Sequence, residues 1–511
     1  MPSFIKSISI VSMGTLISRI LGMIRDIIMA SCFGASMGLD AFLLAFTIPN
    51  LFRRFFGEGA ISSAFLPVFT DVLENENKEQ AEKLASNTVT VLSSILLLIV
   101  LLGLGISWIW PYIFQTSEKT VLALHLLHVM MPYMFFICLT AFLASILNSM
   151  HHFLCPVLAP IILNICWLGS LVLIIPFLGT NQESWAYSMA IAISVSGLLQ
   201  VCLQIPALRS HNIKLYFLWN LSNPLLKRIL YNFLPILLSA TVVQLNMLMD
   251  WIFAWCMIPG SGAVSIMYMG NRLMQFPLAL IGISLATVAF PIFTHYAVQK
   301  KMEDLSIAIS RSLQLAIFLT LPAIAGLISL AKPIIHLLYH HNNFTDTDAQ
   351  RTTYVLIAYC AGLCFFVFVQ ILSKAFYAIE ESKIPTKVAC IALVSNIVLN
   401  LFFVPMWKEC GLAIATTITS CGNASLLLYI LHRKINITLL PIFKTFLTTS
   451  FCTILMTITV LFVLYFFPLQ SSIISRLCSV FFPMLSGICI YFLLAYLGKL
   501  PELRQLLSRK L

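Results

Sequence analysis

The stretch LDAFLLAFTIPNLFRRFFGEGAISSAFLPVF, residues 39–69, sets the terms on which the chain is read. Its apolar runs suit a lipid bilayer, which a helix crosses with roughly 20 apolar residues. Yet Asp40, Arg53, Arg54 and Glu58 lie among them. A charge at bilayer depth costs from about 2.5 to more than 10 kcal/mol by different measures, so it is normally paired or faces a wet cavity. Pro49 removes a backbone donor and invites a kink just before the arginines. Arg54 and Glu58 are four apart and can pair on one helix face. Arg53 points about 100° away from Arg54 and is not fixed by the same partner. The stretch reads as a bent membrane helix whose charges serve protein or water.

Two other stretches repeat the pattern. In GTLISRILGMIRDIIMA (14–30), Gly14, Ser18 and Gly22 recur every four residues, a small-residue stripe that lets a second helix approach closely. Asp26 continues the stripe, with Arg25 beside it and Arg19 about two turns earlier. In MYMGNRLMQFPLALIGISLATVAFP (267–291), Arg272 has polar neighbours at Asn271 and Gln275, and Pro277 and Gly282 allow bending. Guanidinium groups match phosphate oxygens in geometry and charge. Arginines without a local counterpart, Arg53 and Arg272 above all, point to an anionic head group; stapling of helices is the alternative for Arg25–Asp26 and Arg54–Glu58.

Composition agrees with a membrane chain. Of 511 residues, 60 % are hydrophobic and 10 % charged, and the mean hydropathy is +0.97. Soluble domains carry roughly 25 % charged residues. About fourteen apolar runs follow one another, from 8–33 and 38–67 to 441–467 and 473–498, which predicts an all-α polytopic membrane protein. The first run carries Arg19, Arg25 and Asp26, so it reads as a retained helix and not as an export signal. The net charge of +11 reflects orientation, not nucleic acid. With the N-terminus inside, most Lys and Arg, such as Lys78, Lys214, Lys300 and Arg433, fall in the cytoplasmic loops, and few, such as Lys119 and Arg476, fall outside. That bias puts both termini in the cytoplasm. The 14 cysteines are scattered singly and none pairs with His at metal-ligand spacing, so no firm metal site is expected.

The longest polar stretch, DVLENENKEQAEKLASN (71–87), suits a cytoplasmic surface helix joining the second and third spans. An internal repeat is also visible. LNSMHHFLCP (147–156) resembles FYAIEESKIP (376–385) at a displacement of 229, and FLPVF (65–69) resembles AFPIF (289–293) at 224. Two parallel six-helix lobes are therefore expected, 1–228 and 229–434, with two extra helices and a tail in 435–511. Such halves commonly rock around a central cavity. In the second lobe Asp250 is the main intramembrane acid. With Asn396, Asn400 and Thr416 it could ligate sodium or carry a proton, or simply make interhelical hydrogen bonds.

At SRILGMIRD (18–26), IPNLFRRFFGEGAISSAFLPVF (48–69) and GNRLMQFPLALIGISLATVAFP (270–291), the chain resembles the MurJ/MviN family of lipid II flippases. That family lies within the multidrug/oligosaccharidyl-lipid/polysaccharide exporter superfamily, and NLFRRFFGEGA is its most specific string here. The resemblance implies two lobes around a cationic cavity, with the last two helices forming a groove for a polyprenyl tail. It carries substrate-binding roles to Arg19, Arg25, Arg53, Arg54 and Arg272, and gating or charge-pairing roles to Asp26, Asp40 and Glu58. Relatives often have an acid beside the arginine of the eighth helix, where this chain has Asn271. Asn400 stands where a carboxylate is found in some relatives, which weakens the sodium reading.

The resemblance implies a transporter in the bacterial cytoplasmic (inner) membrane, not an enzyme, that carries undecaprenyl-diphosphate-linked peptidoglycan precursor to the outer leaflet. No cofactor is expected beyond coupling to membrane potential, sodium or protons. Partners are lipid II, membrane lipids and the cell-wall synthesis machinery. Rival readings are a flippase for another polyprenyl-diphosphate-linked glycan, a multidrug exporter, which should favour acids over five helix-embedded arginines, and a non-transporting scaffold. A membrane glycosyltransferase would need acidic or metal-binding loops, which the sequence does not display.

Overall fold

A chain this apolar must satisfy its own backbone inside lipid, and helices are one of only two ways to do so. The computed structural model describes residues 2–55, 61–75, 77–114, 117–470 and 472–507, with backbone alone over 2–8, 61–63, 234–240, 242–243 and 506–507. All regular structure among the described residues is helical. The helices are α1 (Pro2–Phe33), α2 (Met37–Phe55), α3 (Ile61–Asn75), α4 (Lys78–Ile113), α5 (Glu118–Ser149), α6 (Leu154–Gly169), α7 (Gln182–Ser210), α8 (Pro224–Met257) and α9 (Ala263–Pro277). There follow α10 (Ser284–Val298), α11 (Met302–Ser329), α12 (Ala331–Leu338), α13 (Asp346–Ala361), α14 (Leu363–Ala378), α15 (Lys383–Ile435), α16 (Leu439–Phe466), α17 (Ile473–Leu497) and α18 (Pro501–Leu507).

Among the described residues nine helices are long and apolar enough to cross a membrane, or ten with α13 and α14 as one span bent by 41°. The eleventh and twelfth runs of the sequence are merged in α15, where Lys408 (φ 51°, ψ −129°) breaks the helical path. Gly411 sits against the break, where a Cβ would lie 2.3 Å from the Phe403 carbonyl oxygen, so only glycine fits. The charged α1, α2–α3 and α8 take the first, second and seventh positions, which accommodates fourteen spans. The expected surface helix at 71–87 does not form. Residues 71–75 end α3 and residues 78–87 begin α4, with Asn77 extended at the start of the new helix.

The chain divides into two compact units, Met1–Leu248 and Met249–Leu511, with the division inside α8. In the first, α5 packs along α2, α4 and α7, and α1 along α6. In the second, Phe293, Leu305, Ile309, Leu313, Ile371 and Phe376 form a buried core among α10, α11 and α14. The last two long helices join that unit: the Tyr491 hydroxyl of α17 donates to the Phe318 carbonyl of α11 at 2.5 Å.

The repeat recurs in local geometry within each unit. His151 and Glu380, 229 apart, both take left-handed backbone angles (φ 59° and 61°). In each case the next amide, at His152 or Glu381, donates to the carbonyl five residues back, Leu147 or Phe376, at 2.9 Å. The segment after the sixth long helix of each unit is strapped to the third. Ser86 and Thr90 of α4 accept from the amides of Tyr216 and Leu218, whereas Ser306 and Ser310 of α11 donate to the carbonyls of Asn436 and Thr438. Each member of the second set lies 220 residues beyond its counterpart.

Candidate functional site

In the first unit the small-residue stripe of α1 meets α6. A Cβ at Gly14 would stand 1.9 Å from Val157 Cγ1, so the approach requires glycine. Two turns along α6 from Val157, Asn164 donates to the Ser18 carbonyl at 3.1 Å. Its other amide atom, Oδ1, accepts from Arg25 Nη1 at 3.0 Å. Arg25 also donates from Nε and Nη2 to Asp26 Oδ1, at 3.0 and 2.7 Å, and its guanidinium lies 4.1 Å from the Trp167 ring centroid. Arg25 is 7 % exposed and Asp26 fully buried. The guanidinium is thus gripped on several sides by one carboxylate, one amide and one indole face.

The other arginines of this unit differ. Arg19 is exposed on α1. Arg53 and Arg54 end α2 half-buried. Arg53 Nε donates to Asn50 Oδ1 at 2.9 Å, which holds the side chain back along its own helix. Arg54 Nη1 donates to Gln244 Oε1 at 2.8 Å and approaches Met247 Sδ at 3.7 Å. Its expected partner Glu58 lies outside the described residues. Asp40 is fully buried in the first turn of α2, where a carboxylate suits the helix N-terminus.

In the second unit, Arg272 is half-buried in α9. Its neighbours Asn271 and Gln275 bond to each other, Gln275 Nε2 donating to Asn271 Oδ1 at 2.5 Å. Pro277 ends α9, and a wide turn over Leu278–Ile283 leads into α10. The missing proline donor and the tight seat of Gly282, whose Cβ would stand 3.0 Å from Val367 Cγ2, account for a break there.

Asp250, Asn396, Asn400 and Thr416 come together, joining α8 to both halves of α15. Asp250 Oδ1 accepts from Asn400 Nδ2 at 2.7 Å and Oδ2 accepts from the Thr416 hydroxyl at 2.9 Å. Asn400 Nδ2 also donates to Asn396 Oδ1 at 2.9 Å, and Asn396 Nδ2 to the Thr416 hydroxyl at 3.3 Å. The amide and carboxylate members are at most 4 % exposed. Asn400 Oδ1 is buried with no hydrogen-bond partner, a costly arrangement for a carbonyl oxygen. Thr417, the neighbour of Thr416, turns away and donates to the Ala358 carbonyl.

Several partners escaped the sequence reading: Asn164, Trp167 and Gln244. Asn164 was the most legible, a lone amide in the apolar run of α6, 232 residues before Asn396. His151 and His152 close the turn after α5. Burial and the nearby His211, with ring centroids 5.1 Å apart, hold the His152 imidazole below its usual pKa.

The geometry so far describes two related helical units, each with a buried polar cluster between its first and fifth long helices. A family model described as lipid II flippase MurJ matches residues 29–482. The chain belongs to the MurJ family. It is similar over 508 residues, at 35 % identity, to a probable lipid II flippase of Buchnera aphidicola subsp. Acyrthosiphon pisum, covering 97 % of this chain and 98 % of that protein. It is 34 % identical to the probable lipid II flippase of Vibrio cholerae over 84 % of this chain and 83 % of that one. A solved lipid II flippase in an inward closed conformation superposes with a TM-score of 0.79 at 28 % identity, covering 98 % of this chain and 99 % of that one. An inward-facing multidrug resistance MATE family transporter of the MOP superfamily shares the fold, with a TM-score of 0.68 at 16 % identity over 84 % of this chain and 98 % of that one. Family membership makes the chain a multi-pass membrane transporter, not an enzyme.

Proposed function

We propose that this chain moves lipid II from the cytoplasmic to the outer leaflet by alternating access, in the bacterial cytoplasmic membrane with both termini on the cytoplasmic side. The observation that carries this reading is similarity along essentially the whole length to relatives named as lipid II flippases. The substrate's diphosphate falls to the half-buried arginines first, Arg53, Arg54 and Arg272, whose forked donors suit phosphate oxygens. Arg25 already has its charge answered by Asp26 and one nitrogen occupied by Asn164. It joins the diphosphate by exchanging the Asn164 bond, and otherwise shapes the polar wall of its unit. Arg19, exposed on α1, meets the head group on entry. Asp26 and Asp40, with Glu58, pair with the arginines of their own unit when the phosphate has left.

Neutralising the arginines with phosphate favours closure on the cytoplasmic side, then release outward; no covalent bond changes. The Asp250 cluster is the coupling element of this scheme. Its donor set of one carboxylate, two amide oxygens and a hydroxyl suits a hard monovalent cation such as sodium. Asn400 Oδ1 supplies the telling detail: turning this amide would aim its oxygen at the same point as the Asp250 carboxylate, which is favourable only with a sodium ion or a proton between them. Moving charge also responds to membrane potential, at about 2.3 kcal/mol per charge per 100 mV.

The test is lipid II translocation in cells depleted of their own flippase, at matched membrane expression. Wild-type rescue, lost on Arg53→Ala or Arg272→Ala, is the expected result. Rescue that persists without these arginines overturns the site; failure of well-inserted wild type to rescue moves the substrate to another polyprenyl-diphosphate-linked glycan.

A further inference from the structure

His336 lies in the last turn of α12, and His340 follows two residues past the helix end, where the chain turns its imidazole back beside that of His336. The rings are 4.6 Å apart between centroids. The turn over residues 341–345 then brings Asp346, the first residue of α13, back to them. Asp346 Oδ1 lies 3.1 Å from His340 Nε2. One nitrogen from each imidazole and one carboxylate oxygen all lie within 4.8 Å of one another. Two imidazoles and a carboxylate are a familiar donor set for zinc, bound at about 2.0–2.2 Å with a fourth position left for water. In a tetrahedral site neighbouring ligands sit roughly 3.3 Å apart by that bond length. The His340–Asp346 edge already meets that spacing, and the His336 side needs a shift of about 1.5 Å or less.

Arg476 of α17 orients the cluster from behind. Its Nη1 donates to the carbonyls of His336 and His340, at 3.1 and 2.7 Å, and its Nη2 lies 3.3 Å from His340 Nδ1. With Nδ1 turned to the guanidinium, Nε2 is the nitrogen presented to Asp346. Asp346 is 82 % exposed at its side chain, so the carboxylate can adjust and solution ions can reach it.

We propose that His336, His340 and Asp346 form an exchangeable site for a zinc-class divalent ion, closing the turn between α12 and α13. The ion would take the place of the proton between His340 Nε2 and the carboxylate. Nδ1 would then carry the proton, and Arg476 would keep its two carbonyl bonds while giving up its longest contact. That loss, with the positive charge of the guanidinium, makes the site exchangeable and not permanent. Nothing in it depends on the identity of the transported lipid.

The experiment uses the full-length chain in detergent, free of any affinity tag, titrated with Zn²⁺ against a chromophoric chelator and separately with Co²⁺. One ion bound per chain, with the visible absorption of tetrahedral Co²⁺, is expected for wild type. The His336→Ala/His340→Ala double variant and Asp346→Asn should each weaken binding by more than about tenfold. Absence of the Co²⁺ band in wild type overturns the proposal whether or not the variants fold. So does equal uptake by wild type and by a variant with wild-type ion-free thermal stability.

Discussion

Replacing Arg25 separates a structural role from a substrate-binding one. Arg25 is 7 % exposed and its carboxylate partner Asp26 is fully buried. Arg25→Met keeps the length of the side chain but leaves a buried carboxylate without its cation, and breaks the bonds at 2.7 and 3.0 Å to Asp26 and at 3.0 Å to Asn164. Breaking a buried pair by removing one partner costs about 3–5 kcal/mol, whereas replacing both partners with apolar groups is often near neutral. The double variant Arg25→Met/Asp26→Leu should therefore recover most of the loss, giving a coupling energy of about 3 kcal/mol or more. The assay is denaturant unfolding of the purified single and double variants, run beside flippase complementation. If Arg25→Met unfolds like wild type, the pair is not a structural clamp. If the double variant is stable but fails to complement, the Arg25–Asp26 pair is needed in transport beyond its part in holding the fold.

Four further outcomes follow from particular contacts. Asp250→Asn should abolish any sodium dependence of transport while the protein still inserts; dependence that persists in the variant removes the cluster from the coupling step. Gly14→Val should destabilise the α1–α6 contact by about 1–3 kcal/mol through overpacking. Adding Val157→Ala should restore stability, because the clashing Cγ1 is then gone. Asn87→Ala removes two bonds to the Asn220 backbone, at 2.8 and 2.9 Å, and should cost about 1–3 kcal/mol, read as faster proteolysis of the 213–223 segment. The folded pKa of His152 is depressed below 6.5, so the unfolded chain takes up its proton first as pH falls. The stability present above pH 6.5 is lost as pH falls through the folded value, and His152→Gln should remove that part of the acid sensitivity in thermal scans at stepped pH.

The helical architecture was legible because lipid leaves so few options: an apolar run of sufficient length must be a helix. The Gly14–Ser18–Gly22–Asp26 stripe was legible as a face for close helix approach; that its neighbour is α6 was not. Distant partners were not legible. Arg25 and Asn164 are 139 residues apart, and nothing local to either announces the other. The break before α4 hid inside a polar stretch that looks continuously helical by composition, in which nothing marks Asn77 as extended. The spacing of His336 and His340 was present in the sequence. Asp346 gave it meaning only once the turn of residues 341–345 brought the carboxylate back.

The serine and threonine straps bear on how such a chain is made. Ser86, Asn87 and Thr90 find their partners at residues 216–220, and Ser306 and Ser310 find theirs at 436–438. Each of these straps joins residues of a single unit. As synthesis proceeds from the N-terminus, the first set can be fastened once residue 220 is in place, before most of the second unit has been translated. The insertion machinery then hands over a finished half and begins again on a second of the same pattern. A damaged strap in the first unit should therefore show as early quality-control loss of nascent chains, and one in the second as full-length chains that insert and then decay.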